Sequence, residues 1–169
     1  MPTLSVVVVS DTHGPSRWKG VPPGILGDLR AADLILHAGD VSVPDVLDEL
    51  AVFAPVHVVM GNTDGSGVQR WGARPTLDLD LDGLRVGMIH DSGATQGRGR
   101  RLRAMFPDAD LVVFGHSHIP ADVVDDGLRV FNPGSLTDPR SQPHPSYGVL
   151  TIADGELRSA RIVSLPRRR

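Results

Sequence analysis

Residues 6–13 read VVVVSDTH, four β-branched residues in succession followed at once by a carboxylate and an imidazole. An apolar run with no polar alternation is the pattern of a strand covered on both faces, such as one with parallel neighbours in the middle of a sheet. Asp11 and His13 would then stand just past its carboxyl end. The arrangement recurs four times: residues 34–40 (LILHAGD), 56–62 (VHVVMGN), 84–91 (LRVGMIHD) and 111–118 (LVVFGHSH). From Asp11 to Asp40, Asn62, His90 and His116 the steps are 22 to 29 residues, about one strand and its return connection. Parallel strands so spaced bring their carboxyl ends to one edge, and the donors that follow them converge there into a metal site.

Composition narrows the chemistry. The chain has 169 residues, 40% of them hydrophobic, enough for one compact domain with a core of its own; residues 1–165 are read as that domain and 166–169 as a disordered basic tail. With 17 basic and 20 acidic side chains the formal charge is -3, so no overall positive field exists to collect a nucleic-acid polymer. Cysteine is absent, which leaves nitrogen and oxygen to hold any metal. The first ten residues carry no basic leader and too short an apolar run for a signal or a membrane span. The expectation is a cytoplasmic protein without membrane contact, its oligomeric state open.

The organisation changes along the chain. Residues 4–9, 33–37 and 56–60 read as strands, separated by candidate helices at 24–30 and 44–51, the latter opening on Pro44 where no amide donor is lost. From Thr76 onward Asp82-Gly83, Asp126-Gly127 and Asp154-Gly155 each sit between alternating apolar segments, a signal for tight hairpins in which both central residues take positive φ. Residues 97–106 form the remaining helix candidate, and 119–131 and 147–163 the later strands. Nothing divides the chain, and the expected architecture is two sheets flanked by helices.

Single motifs here are weak. Asp11, Asp40 and Asn62 each also read as turn residues, and His116 and His118 as alternating positions of a surface loop. A G-H-x-H match, however, is expected only about 0.03 times by chance in this composition. Every match also falls where an apolar strand ends. The ordered set D-x-H, G-D, G-N, H, G-H-x-H closely resembles the calcineurin-like metallophosphoesterases, and the NPGS at 132–135 resembles their small bacterial and archaeal phosphodiesterase branch. The resemblance covers residues 4–150. It implies an α/β fold of four layers, an αββα sandwich of two mixed sheets, around a binuclear centre. Asp11, His13 and His118 would hold one metal, Asn62, His90 and His116 the other, and Asp40 would bridge them, with Asp40, Asn62 and His90 closest to the chemistry.

These residue types suit that chemistry. Two divalent ions about 3.5 to 4 Å apart share a carboxylate, acidify a bridging water to a nucleophilic hydroxide and offset charge growing on the phosphoryl oxygens. Imidazole, carboxylate and amide donors without sulfur suit Mn²⁺ first, with Fe²⁺, Zn²⁺, Ni²⁺ or Co²⁺ as alternatives. The expected substrate is a small phosphodiester, with Asn62 and Arg140 as phosphate contacts. The chain departs from the family in two places. Thr63 stands where many relatives place a histidine able to protonate the leaving group, and His90-Asp91-Ser92 replaces His-Gly-His, adding a negative charge beside the phosphate site. Two other readings compete. One is a silent scaffold on the same fold. The other is an aspartyl-phosphate enzyme using Asp11, which would want aspartate at position 13, where His13 stands.

Remaining features receive blander readings. His37 is expected to be a hydrogen-bonded core histidine, His57 a plain strand residue, and His144 a loop residue able to reach substrate. Arg98, Arg100, Arg101 and Arg103 read as a solvated helix face. Trp18 and Trp71 are placed in loops, capping the edge of the core.

Overall fold

A computed structural model describes residues 2–168 and contains two five-stranded mixed sheets. In chain order the strands are β1 (Leu4–Val9), β2 (Leu34–His37), β3 (Val56–Val58), β4 (Thr76–Leu81), β5 (Leu84–Ile89), β6 (Leu111–Val113), β7 (Ala121–Asp125), β8 (Leu128–Asn132), β9 (Ser146–Ala153) and β10 (Glu156–Ser164). The helices are α1 (Leu26–Ala31), α2 (Asp45–Ala51), α3 (Ser66–Trp71) and α4 (Arg98–Met105), with a 3-10 turn, Pro23–Ile25, leading into α1. One sheet runs β10-β9-β1-β2-β3 and the other β4-β5-β6-β8-β7.

The valine run of β1 explains the layering. Val7 and Val9 pack with Ile25, Leu29, Val46, Leu50 and Val68 beneath α1, α2 and α3, while Val6 and Val8 face Val86, Met88, Val113 and Phe131 of the second sheet. Beyond that sheet, Val112 and Val130 pack against Leu102 of α4 and Phe106 just after it. Helices, sheet, sheet, helix: the αββα sandwich implied by the motif order is the fold found. A residue such as Phe131, buried between the two sheets, would cost about 3–5 kcal/mol on truncation to alanine.

Parallel pairing is confined to β1-β2-β3 in one sheet and β5-β6-β8 in the other. The three expected hairpins form. Asp82, Asp126 and Asp154 and the glycine after each all have positive φ, the pair of left-handed residues that matches strand twist. The last hairpin crosses back to the first sheet, where β9 pairs antiparallel with β1. One helix was not legible. Residues 66–71, read as a loop, form α3, whose Trp71 donates from Nε1 to Asp48 Oδ1 at 2.8 Å. Trp18 is buried in the core as expected. Arg167, placed by sequence in a disordered tail, instead donates to the carbonyls of Pro143, Arg140 and Gln142 at 2.6 to 3.1 Å; Arg169 lies outside the described residues. No described helix is long and apolar enough to cross a membrane.

Candidate metal centre

The donors do not all come from one sheet. Asp11 and His13 follow β1, Asp40 follows β2 and Asn62 follows β3, whereas His90 follows β5 and His116 and His118 follow β6. Both sheets present their parallel carboxyl ends at the same edge, so the seven side chains meet across the seam of the sandwich. They form two groups, Asp11 with His13 and His118, and Asp40 with His90 and His116; within each, one donor atom per residue lies within 4.8 Å of the others. Asp40 Oδ2 joins them, 3.7 Å from His13 Nε2 and 3.3 Å from His90 Nε2. Asn62 Oδ1 completes the second group at 3.1 Å from both His90 Nε2 and His116 Nδ1.

The backbone reaches this arrangement through conformations that side chains other than glycine's rarely adopt. Asp11, His13, Asp40, His116 and His118 all have φ between 45° and 71°. In the GHSH segment His116 and His118 are therefore left-handed residues separated by Ser117, which is not, rather than positions of the extended alternation the sequence suggested. Each such residue costs of order 1 kcal/mol, a strain that persists only where surrounding contacts over-determine it. Those contacts are present. The amides of Asp11 and His13 donate to the carbonyls of Gly39 and Asp40, and the His116 amide donates to Asp11 Oδ2 at 3.1 Å. The glycines before the donors have a steric reason to be glycine: a Cβ on Gly61 would lie 2.1 Å from Asp40 Oδ1, and one on Gly115 would lie 2.1 Å from Ser10 Oγ.

Second partners aim the imidazoles. His90 Nδ1 lies 2.7 Å from the Ala38 carbonyl, and His118 Nδ1 bonds the Asp138 carbonyl. A carbonyl only accepts, so each Nδ1 carries the proton and each Nε2 is left facing the centre. The centre is rich in lone pairs. Asp11 Oδ1, buried and accepting no hydrogen bond among the described residues, lies 3.4, 3.8 and 3.9 Å from Nε2 of His118, His13 and His90. Without a cation, protons take its place. Burial opposes a charge on His90 and His118, but the carboxylates of Asp40 and Asp11 outweigh it and hold both imidazoles above their ordinary value. Burial likewise pushes Asp11 and Asp40 up, yet the neighbouring histidines, with Ser10 at Asp11 and the Thr63 amide at Asp40, bring both below the usual carboxylate range. The opposite orientation of the Asn62 amide satisfies Asp40 and both imidazoles at 3.1 to 3.3 Å; a bound cation would instead favour the orientation that turns the carbonyl oxygen to the centre. Converging oxygens and nitrogens with an orphaned buried carboxylate oxygen fit divalent ions.

Residues 4–155 match the calcineurin-like phosphoesterase superfamily domain. The chain belongs to that superfamily. It is 38% identical over 163 residues to a probable metallophosphoesterase of Methanothermobacter thermautotrophicus, covering 95% of this chain and 92% of that one. Among solved structures, a Thermotoga maritima protein superposes with a TM-score of 0.75 at 32% identity, covering 96% and 99% of the two chains. A structure described as a novel archaeal phosphodiesterase gives 0.73 at 20% identity over 96% and 100%. Vps29 of Entamoeba histolytica, complexed with zinc, gives 0.76 at 24% over 96% and 98%. The last two share the fold with this calcineurin-like phosphoesterase, which is a metal-dependent phosphoesterase by family.

Several residues that organise its site were missed or misread in the sequence. Asp64, two residues past Asn62, accepts the amides of Asp40 (3.0 Å), Gly61 (2.8 Å) and Ser42 (2.7 Å), lacing the β2 and β3 loops together. Ser135 of the NPGS segment donates to the Asp11 carbonyl at 2.8 Å, and Thr137 to that of Thr12 at 2.9 Å. Asn132 donates to the Gly115 carbonyl at 3.1 Å. Of the four arginines of α4 Arg100 is exposed as expected, but the other three are held by neighbours. Arg98 lies 4.6 Å over the Phe114 ring, Arg101 clamps the carbonyls of Ser92, Ala94 and Gln96, and Arg103 donates to the Ala109 carbonyl at 2.7 Å. His37 is buried as expected: Gly39 donates to its Nδ1 at 3.1 Å, so Nε2 carries the proton toward Thr12 Oγ1 at 3.0 Å. His57 and His144 are exposed. Asp91 Oδ2 lies 3.8 Å from His116 Nε2, and Thr63 Oγ1 is 2.9 Å from Ser42 Oγ.

Proposed function

We propose that this chain hydrolyses small phosphodiesters at a two-metal centre. In this reading Asp11, His13 and His118 hold one ion, Asn62, His90 and His116 hold the other, and Asp40 is shared. The observation that carries it is the position of Asp40 Oδ2 between the two groups, within 3.7 Å of an imidazole of each. When bound, a pair of divalent ions lowers the pKa of water toward neutrality and offsets charge growing on phosphoryl oxygens. The protein's part is positional: Ala38 and Asp138 fix the tautomers of His90 and His118, and Asp64 holds the loops that carry Asp40 and Asn62. Arg140, whose Nε lies 4.0 Å from the carboxylate of the same Asp138 whose carbonyl aims His118, is assigned to a phosphoryl oxygen. Manganese is the ion assigned first on donor chemistry.

Thr63 has consequences for substrate choice. Its hydroxyl is a poor acid, so no imidazole or carboxyl replaces the histidine found there in many relatives. Acid assistance commonly contributes 10²- to 10⁴-fold, and its loss falls hardest on poor leaving groups. The expected result is a steep dependence of rate on leaving-group pKa, with activated aryl esters cleaved best; a shallow slope would contradict the assignment.

The fold shared with Vps29 supports a second reading, a scaffold without chemistry. Retention of competent donors at all seven positions favours catalysis. Metal analysis with an Mn²⁺-supplemented screen of aryl phosphate diesters and monoesters, on wild type and Asp40→Asn, separates them. Catalysis predicts two ions per chain and a loss of about 10³-fold in turnover for Asp40→Asn, the equivalent of several kcal/mol of charge stabilisation. A loaded wild-type protein inert toward every ester would leave the scaffold, and a trapped phosphoenzyme would point to Asp11 as nucleophile instead.

A further inference from the structure

A cavity of about 310 Å³, a volume at the lower end of small-molecule sites, is lined by none of the seven donors but by loops that adjoin them. Its walls come from three segments, and strand direction places all of them at the sheet edge where the seven donors meet. Arg17 and Pro23 follow β1, the strand that ends in Asp11 and His13. Leu136 and Pro139 follow β8, which runs parallel to the strand ending in His116 and His118. Leu165 follows β10, which is antiparallel to β9 and therefore parallel to β1; Pro145 opens β9 at that same edge.

Two residues join cavity and centre directly. The Arg17 amide donates to the His13 carbonyl at 3.0 Å, and the carbonyl of Asp138, another wall residue, accepts from His118 Nδ1. The Asp138 carboxylate lies 4.0 Å from Arg140 Nε and 3.8 Å from Arg17 Nε, so the one acidic group of the wall is already matched by cations. Arg167 and Arg168 add positive charge at the rim. Seven of the thirteen wall residues are proline or leucine, which offer a ring apolar faces, and three are arginine, which favour an anion.

We propose that this cavity receives the apolar, ring-bearing ester arm of a phosphodiester whose phosphoryl group sits at the metal centre. The proposal rests on the phosphoesterase reading and adds its specificity pocket. The arm that enters is the one retained on the product, because leaving-group departure needs access to water and the cavity supplies no proton donor for it. Phosphate charge is attracted across Arg140 and Arg17, and the ring displaces water from proline faces that offer it no hydrogen bonds.

Two mixed diesters with a shared nitrophenolate leaving group test this, one retaining a phenyl ester and the other a methyl ester. Wild-type Mn²⁺ enzyme is expected to prefer the phenyl diester by about 10- to 100-fold in kcat/KM, the selectivity of burying one ring. Pro23→Gln, a neutral change at an exposed wall position, should lower kcat/KM for the phenyl diester more than for the methyl diester and so reduce that preference. Binding gives an independent readout: diphenyl phosphate should shift the amide resonances of Gly24, Leu136 and Leu165, and dimethyl phosphate should not. Hydrolysis of both diesters at equal efficiency, or diphenyl phosphate shifting only residues around Asn62 and His116, would overturn the pocket while leaving the phosphoesterase intact. Absence of all hydrolysis, with the cavity amides still responding to diphenyl phosphate, would overturn the enzyme reading.

Discussion

The two ends of the sandwich use the same unusual backbone geometry for opposite purposes. At the turn end, Asp82-Gly83, Asp126-Gly127 and Asp154-Gly155 take positive φ in pairs, and Gly83 and Gly155 of the two sheets approach each other closely. At the other end Asp11, His13, Asp40, His116 and His118 take positive φ, with no glycine to relieve them. The turns are cheap because residue type, twist and loop length agree locally. The site is costly, and its strain is sustained by bonds between residues up to 126 positions apart in sequence, such as those made by Ser135 and Thr137. Local consistency marks scaffold, and its violation marks the place where function is expected.

That contrast can be broken or sharpened by substitution. Among positions that offer no donor to the centre, Gly61→Ala is expected to have the largest effect, because its Cβ must displace Asp40 by an ångström or more; a misplacement of that size costs about 10²-fold in turnover. Near-normal rates with unchanged metal content would show that the site is softer than its packing suggests. Asp64→Asn should weaken metal binding by about 10- to 100-fold, measured by competition with a chelator, since three amides lose a charged acceptor. Full affinity in that variant would remove Asp64 from the positioning role.

The third test uses pH. His90 and His118 are held above the ordinary imidazole value in the metal-free protein, so each imidazolium adds stability below that value, and the contribution is lost as pH rises. Metal binding needs the neutral rings and gains over the same interval. The difference in Tm between Mn²⁺-loaded and metal-free protein should therefore widen from about pH 6 to about pH 8, the interval around the imidazole titration. A gap independent of pH would mean that these histidines do not compete for the ion. Gly127→Ala belongs at the small end: φ is 77° and nothing lies within 4 Å of the added methyl, so about 1 kcal/mol of stability should be lost with metal affinity untouched. A change in affinity there would couple the two ends.

What the sequence disclosed follows the same division. Apolar runs and Asp-Gly pairs are local signals, and they located the strands, the hairpins and the donors, since each donor sits one to five residues beyond a strand. What stayed hidden depends on distant partners. The acceptor role of Asp64 needs amides from two loops, and nothing in N-T-D-G distinguishes that from a turn. The six residues of α3, SGVQRW, carry a glycine and too few turns for a helical period to show. Arg101 looked solvated because its partners are carbonyls of the preceding loop, which leave no trace in side-chain pattern. The convergence of two sheets on one edge was likewise visible only as a count of strand ends, not as a seam.

His37 offers a practical handle on this seam. Burial pushes it down to about 3, and Gly39 and Thr12 fix its tautomer, so its ring stays neutral across the range in which the enzyme would be assayed. The same two residues adjoin Asp40 on one side and Asp11 and His13 on the other. The ring NH of His37 is thus a silent spectator of acid and base but a sensitive gauge of loop order, and its solvent exchange rate would time how often the metal-bearing edge opens.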